Sequence, residues 1–446
     1  MNAQTTPHPS FRQAFLFWLK LGFISFGGPA GQIAIMHQEI VDNRRWLSEH
    51  RFLHALNFCM VLPGPEAQQL AIYIGWLLHG IRGGLLAGVL FVLPSLLILI
   101  ALSWIYIAFG TVPLVAGLLY GIKPAVVAIV AQAAHRIGSR VLKTPALWTI
   151  ALLAFIAIFA FNAPFPAIVL LAALLGALGG KVLPQQFQGK PAKHGSKNAA
   201  NPAQADPLLK LAHLQFSWSR LWRVTFIGLS LWALPLLGLW QYYGWQGMPT
   251  QVAWFFTKAA LLTLGGAYAV LPYIYQGVVD HYHWLSSVQL IDGLALGEST
   301  PGPLIMLVAF VGFVGGYLQH LFGAENLFWA GAFAASLATW FTFLPSFLFI
   351  FIGAPLIEKT HNEIKFTAPL TAITAAVVGV IVNLLLFFAY HVFWQHGFEG
   401  ELDKIAVAMA VFASVLLFYL KRSVIEVIII GMIGGVAIQQ LLPLVL

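Results

Sequence analysis

Apolar positions run along this chain in stretches longer than a buried strand or a core helix needs. Residues 83–109, 146–161, 216–240 and 404–420 approach or exceed the length of roughly 20 residues that carries a helix across a bilayer. Glycine and proline recur inside these runs, as membrane helices tolerate where a neighbouring helix or a cavity satisfies the freed backbone groups. The pattern predicts an all-α polytopic membrane protein. It is interrupted between 181 and 223, where QFQGKPAKHGSKNAANPAQADPLLK shows no apolar periodicity. That segment holds Lys181, Lys190, Lys193, Lys197, Lys210, Arg220 and Arg223 against the single acid Asp206. It is expected to be a flexible cytoplasmic linker over 181–215, dividing one unit at 1–180 from another at 216–446.

The two units repeat one another. At an offset of 238 residues Phe17 and Lys20 match Phe255 and Lys258, Gly27-Gly28 match Gly265-Gly266, and Gln38 matches Gln276. In the same register Val41-Asp42 match Val279-Asp280, Trp46-Leu47-Ser48 match Trp284-Leu285-Ser286, and Pro63-Gly64-Pro65 match Pro301-Gly302-Pro303. A 13-residue insertion then shifts the offset to 251, pairing Pro94-Ser95 with Pro345-Ser346 and Ile122 with Ile373.

Charge separates the copies. Residues 40–51 hold Arg44, Arg45 and Arg51, and their partners at 278–289 hold no Lys or Arg. Residues 123–147, read as a second such loop, hold Lys123, Arg136, Arg140 and Lys143; their partners at 374–398 hold none and precede Glu399, Glu401 and Asp403. The positive-inside bias puts the first set in the cytoplasm and the second outside, so the repeats are expected to be inverted in topology. Arg44 and Arg140 share a side only if 51–80, broken by Pro-Gly-Pro, enters and returns as a re-entrant hairpin.

The breaks are the candidate chemistry. Prolines at 63, 65, 301 and 303 remove donors and clash with the preceding turn, while Gly64 and Gly302 free the backbone. A helix that starts after such a break offers free N–H groups and a positive dipole end to an anion; a proline kink buried in the bundle is the plainer reading. Gly27-Gly28 and Gly265-Gly266 form a second pair of breaks, close helix packing being the alternative. Lys20 and Lys258 stand seven residues before them, about two turns away on one stripe. They are candidates for balancing an anion's charge, against a reading in which they snorkel to the interface. Glu66, Gln68 and Glu298 are candidates for coupling or gating, a helix cap being the other role for Glu66. Asp42 and Asp280 read as loop and capping residues.

Composition narrows the classes. The chain is 60% hydrophobic and 9% charged with a mean hydropathy of +0.84, against roughly 25% charged in soluble domains. MNAQTTPHPS carries no Lys or Arg and no cleavage site follows the first apolar run, so the first helix is expected to stay. The formal charge of +8 sits between spans, so no nucleic-acid partner is expected. Cys59 is the only cysteine, and His37, His54 and His79 lack ligand spacing, so neither metal nor cofactor is expected. No P-loop, Ser-His-Asp or Cys-His arrangement appears, which argues against pumping and hydrolysis.

Residues 25–76, SFGGPAGQIAIMHQEIVDNRRWLSEHRFLHALNFCMVLPGPEAQQLAIYIGW, closely resemble the chromate ion transporter family of bacterial inner membranes. LGGAYAVLPYIYQGVVDHYHWLS and GESTPGPLIMLVAFVGF resemble that family's second domain. The resemblance implies a multi-pass inner-membrane protein of two domains that exports chromate and confers chromate resistance, with the bilayer and the oxyanion as partners. Leu304 stands where symmetry with Glu66 would put an acid, so each half has its own role. Transport of sulfate or molybdate, a membrane receptor or scaffold, and a chromate reductase are the other readings, and a homodimer is left open.

Overall fold

A computed structural model describes residues 9–26, 28–187, 217–264, 266–360, 367–395 and 397–441. Ser10 accepts from the Gln13 N–H while Gln13 accepts from the Ser10 N–H, a capping box that satisfies donors a helix start leaves free. It opens α1 (Phe11–Ile24), whose 14 residues reach about 21 Å, short of the roughly 30 Å of a bilayer core. The chain turns at Ser25 into α2 (Gly28–His37), which ends in one turn of π-helix (Gln38–Asn43). Ser48 then caps α3 (Glu49–Cys59), and Pro-Gly-Pro separates it from α4 (Glu66–Phe109).

That last helix folds back on itself. His79 (φ −137°) and Gly80 (φ 62°) leave helical conformation, Gly75 packs against Gly83, and Ile72 lies against Gly84 and Gly88. The limbs 66–78 and 81–109 are therefore antiparallel. So are α3 and the first limb: Arg51 and Tyr73 both bond Glu358 (3.3 and 2.7 Å), and Phe58 packs edge-on to Tyr73. Pro-Gly-Pro is the tip of a hairpin that enters and returns on one face. α1 runs beside the second limb, with Phe11 against His79 and Gly22 against Leu90 and Pro94, so it starts at that same face.

From there α5 (Pro113–Val141), α6 (Pro145–Phe161) and α7 (Phe165–Val182) follow, then a single turn, α8 (Pro184–Phe187), and α9 (Trp218–Tyr243). Trp218 and Trp222 at one end of α9 and Trp240 and Tyr242 at the other are exposed, as in the aromatic belts of a spanning helix. Gly84 lies on Phe351 and Gly88 on Phe347, so the second limb of α4 runs antiparallel to the helix that corresponds to it in the second half.

The second half repeats the plan upside down. α10 (Met248–Leu262) breaks at Thr263, a 3-10 turn leads into α11 (Leu271–Tyr275), and a π-helical turn (Gln276–His281) recurs in register with the first. Ser286 and Gln289 form a capping box at α12 (Ser287–Ser299), and Pro-Gly-Pro leads to α13 (Leu307–Leu318). Gly293 lies against Phe310 and Gly297 against Leu307, so this too is a hairpin. α14 (Leu327–Thr360) returns along α13, with Gly312 on Ala334 and Gly316 on Ala330. The 13-residue insertion is the loop that replaces the tight turn at Gly80. α15 (Thr367–Phe393), α16 (Lys404–Ser414) and α17 (Val424–Leu441) complete the bundle. Among the described residues six helices are long and apolar enough to span a bilayer, and there are no strands.

The halves interleave. The Gly64 N–H donates to the Thr263 carbonyl (2.8 Å), and the Gly302 N–H donates to the Ser25 carbonyl (2.7 Å). Each tip thus seals the broken helix of the other half. Gln32 Nε2 supports one crossing by donating to the carbonyls of Ser25 and Gly302. A Cβ at Gly64 would stand 2.8 Å from Ser346 Oγ, and one at Gly302 would stand 2.7 Å from Ser95 Cβ, with φ of +125° and +110°; only glycine fits. Farther out, Gly121 of α5 abuts Gly431 and Gly435 of α17, and Gly176 of α7 abuts Ala368 and Ala372 of α15, as small residues allow in membrane packing.

Two readings of the sequence change. Residues 123–147 are mostly not a loop, because Lys123, Arg136 and Arg140 all belong to α5. The two arginines lie in its last turns, so the charge bias persists at that face. Within the expected linker, residues 181–182 end α7 and 184–187 form α8, with Phe187 packed on Gly179, while 188–215 lie outside the described residues.

Candidate functional site

Where both sets of breaks approach the last turns of α5, a cavity of about 530 Å³ opens. Gly28 and Gly266 line it as bare turns: a Cβ on the first would meet nothing within 4 Å, and one on the second only Glu66 Oε1 at 4.0 Å. Backbone is thereby exposed to whatever enters. Gln132, Arg136 and Arg140 face the space from α5 at intervals of four residues, one stripe of a helix. Gln132 also donates to the Leu417 carbonyl (3.2 Å). Neither arginine takes part in an ion pair among the described residues.

Two carboxylates complete the lining. Glu66 is the first residue of α4, where the helix dipole favours an acid. Glu298, in the last turn of α12, accepts from the Tyr268 hydroxyl at 2.6 Å. Glu66 lies in the field of Arg140, and Glu298 in that of Arg136. Each half thus brings one acid to a shared pair of cations. Ionisable groups at this depth are costly in a bilayer and mark transport paths.

Of the residues singled out from the sequence, the cavity brings together Gly28, Gly266, Glu66 and Glu298. Gly27 and Gly265 lie outside the described residues. The Pro-Gly-Pro tips (Pro63, Gly64, Pro65 and Pro301, Gly302, Pro303) stand behind it with their glycine N–H groups already engaged, and Glu66 itself occupies the first turn of α4. Lys20 is exposed and Lys258 half-buried, its ammonium 5.8 Å from the Trp254 ring; neither lines the cavity. Helical side chains lean toward the N-terminus, which carries both lysines away from their glycine breaks. Gln68 is fully buried, and neither of its amide atoms has a hydrogen-bond partner among the described residues. Asp42 belongs to the first π-helical turn and lies 3.5 Å from His37.

Gln132, Arg136, Arg140 and Tyr268 are among the polar lining groups that the sequence did not yield as site residues. At an offset of 251 the two arginines meet Phe387 and His391, so a search for paired positions passes over them; their four-residue spacing was the available signal. Asn383 and Phe387, the counterparts of Gln132 and Arg136, line a second cavity of about 970 Å³ with Tyr275, Tyr390 and Trp394, and among the described residues no Lys or Arg lines it. It lies farther along α15 than Thr374, which lines the first cavity, toward the end of that helix away from the arginines.

Broken helices from two inverted repeats, meeting around a charged intramembrane cavity, define the class in which secondary transporters are built. The chain belongs to the chromate transporter family, whose model matches residues 12–177 and 250–437. It is similar to a chromate transport protein of Pseudomonas aeruginosa, 31% identical over 444 residues that cover 98% of this chain and 94% of that one. A chromate transport protein of Cupriavidus metallidurans is 30% identical over 388 residues, 87% of this chain and 85% of that one. An uncharacterized transporter of Bacillus subtilis is 29% identical over 172 residues, which make up 96% of that protein and 38% of this chain. No solved structure matches. The chain is a multi-pass bacterial membrane transport protein and not an enzyme.

Proposed function

We propose that this chain exports chromate from the cytoplasm and thereby confers chromate resistance. Arg136 and Arg140 bind the dianion beside the bare turns at Gly28 and Gly266, and Glu66 and Glu298 couple its movement to charge balance. The observation that carries this reading is the one-sidedness of the cations. Two arginines with no ion pair among the described residues line the inner cavity, whereas Phe387 and His391 occupy their counterparts at the outer face. An anion is held on the side where it loads and loses those partners on the side where it leaves.

Charge counting gives the acids their role. With the cavity empty, two guanidiniums and two carboxylates balance. A bound dianion disturbs that balance by two charges, and proton uptake by Glu66 and Glu298 restores it. Those protons return to the cytoplasmic side and the dianion alone crosses, so its outward movement is favoured by about 2 × 2.3 kcal/mol per 100 mV of inside-negative potential and export needs no nucleotide. Lys20 and Lys258, placed away from the cavity, take no direct part.

Everted membrane vesicles containing the chain test this with labelled chromate. Accumulation in the lumen that survives an equal concentration of sulfate, and that Arg136→Gln with Arg140→Gln removes, is the expected result. Absence of flux, or its abolition by equimolar sulfate, overturns the cargo; flux that is fast only into right-side-out vesicles overturns the direction.

A further inference from the structure

We propose that Lys123 is the cation that meets the anion in the outward-facing conformation, and that Asp292 masks it while the cavity faces inward. The assignment rests on the export reading above. In an inverted repeat the second access state arises when the halves exchange conformations around a fixed site. Thr374 lines the inner cavity, and the residue corresponding to it at the offset of 251 is Lys123. The outward counterpart of the cavity therefore has a lysine where the inner one has a hydroxyl, at the face where the arginines have become Phe387 and His391.

Lys123 is now held in reserve. Its Nζ lies 3.3 Å from Asp292 Oδ1, and the Tyr106 hydroxyl donates to Asp292 Oδ2 at 3.0 Å. The aspartate side chain is 4% exposed and the lysine side chain 23%. Lys123 and Tyr106 come from α5 and α4 of the first half, and Asp292 from the α12 and α13 hairpin of the second. The pair joins the elements that must part for an outward path to open. Parting would leave both charges uncompensated within the membrane, a state costly enough to demand a substitute. The anion supplies it at Lys123, and closure of the hairpin lets Asp292 displace the anion outward. The arginines load, and the lysine releases.

Two double variants of the full chain test this, Lys123→Asp with Asp292→Lys, which keeps the pair but moves the cation to the hairpin, and Lys123→Met with Asp292→Asn, which leaves no unpaired charge. Both are expected to fold, judged by size exclusion in detergent, and to bind chromate within about twofold of wild type, yet to export it about tenfold more slowly or worse. Wild-type export by either variant overturns the assignment, since a purely structural pair is rescued by exchange or by neutral replacement. Failure of both to fold assigns the pair to structure and overturns it as well. A wild-type chain without chromate flux overturns the cargo and this assignment together, whereas wild-type flux with rescue overturns this assignment alone.

Discussion

The inner cavity and the outer position to which the pseudo-two-fold relates it share a backbone plan and differ in side chains. Inside, α5 presents Gln132, Arg136 and Arg140; outside, α15 carries Asn383, Phe387 and His391 at the corresponding positions. Glu66 answers to Leu304, and Glu298 to Met60. The capping of the hairpins at Ser48 and Ser286, the π-helical turns and the crossed tip bonds recur in both halves, so the backbone devices are matched. The parts that hold charge are not. In the proposed export cycle, symmetry of the scaffold would permit two access states, and asymmetry of the side chains would give them different affinities for an anion.

That comparison breaks first on topology. With Cys59 replaced, single cysteines at Arg44 and His283 are expected to label from opposite faces of the membrane; labelling from one face removes the inversion and everything built on it. Next in size, Gly64→Ala and Gly302→Ala should each deplete folded protein, because positive φ costs on the order of 1–3 kcal/mol and the added methyl meets Ser346 or Ser95 across the half boundary. Detergent extraction with size exclusion reads the loss, and tolerance at one tip alone would show that the scaffold is less symmetric than its hydrogen bonds suggest.

Side-chain asymmetry is probed by smaller effects. Arg136→Gln and Arg140→Gln should each slow initial chromate flux by about tenfold to a hundredfold, the worth of a charge-assisted bond of roughly 1.5–3 kcal/mol. Phe387→Leu at the outer counterpart should leave flux near wild type, and Phe387→Arg, which makes the two faces more alike, should slow net export several-fold by retaining the anion outside. Smallest of all, Lys20→Ala and Lys258→Ala are expected to change flux by no more than about twofold, the range of surface substitutions; a larger loss would return them to the anion path.

The scaffold was legible in the sequence because its devices are backbone devices. Pro-Gly-Pro, Gly-Gly and Trp-Leu-Ser are needed twice, so they recur in register and announce the repeat, and the parity of crossings then demands the re-entrant hairpin at 51–80. Arg136 and Arg140 were hidden for the opposite reason: they occur once, and the positive-inside bias already accounted for them. Asp292 was hidden because its partners, Lys123 and Tyr106, are brought to it only by the packing of one half on the other. Lys20 and Lys258 recur in register and invited a shared role, yet the direction in which helical side chains lean sends them elsewhere.

The crossed bonds from Gly64 to Thr263 and from Gly302 to Ser25 also bear on how the chain is made. Ser25 leaves the ribosome long before its acceptor's donor exists. At about 5–20 residues per second the first broken helix waits on the order of ten seconds or more, its carbonyl unsealed and its hairpin tip without a seat. The nascent first half is thus an unfinished object inside the membrane, dependent on insertion machinery or lipid to shelter open backbone until its complement arrives.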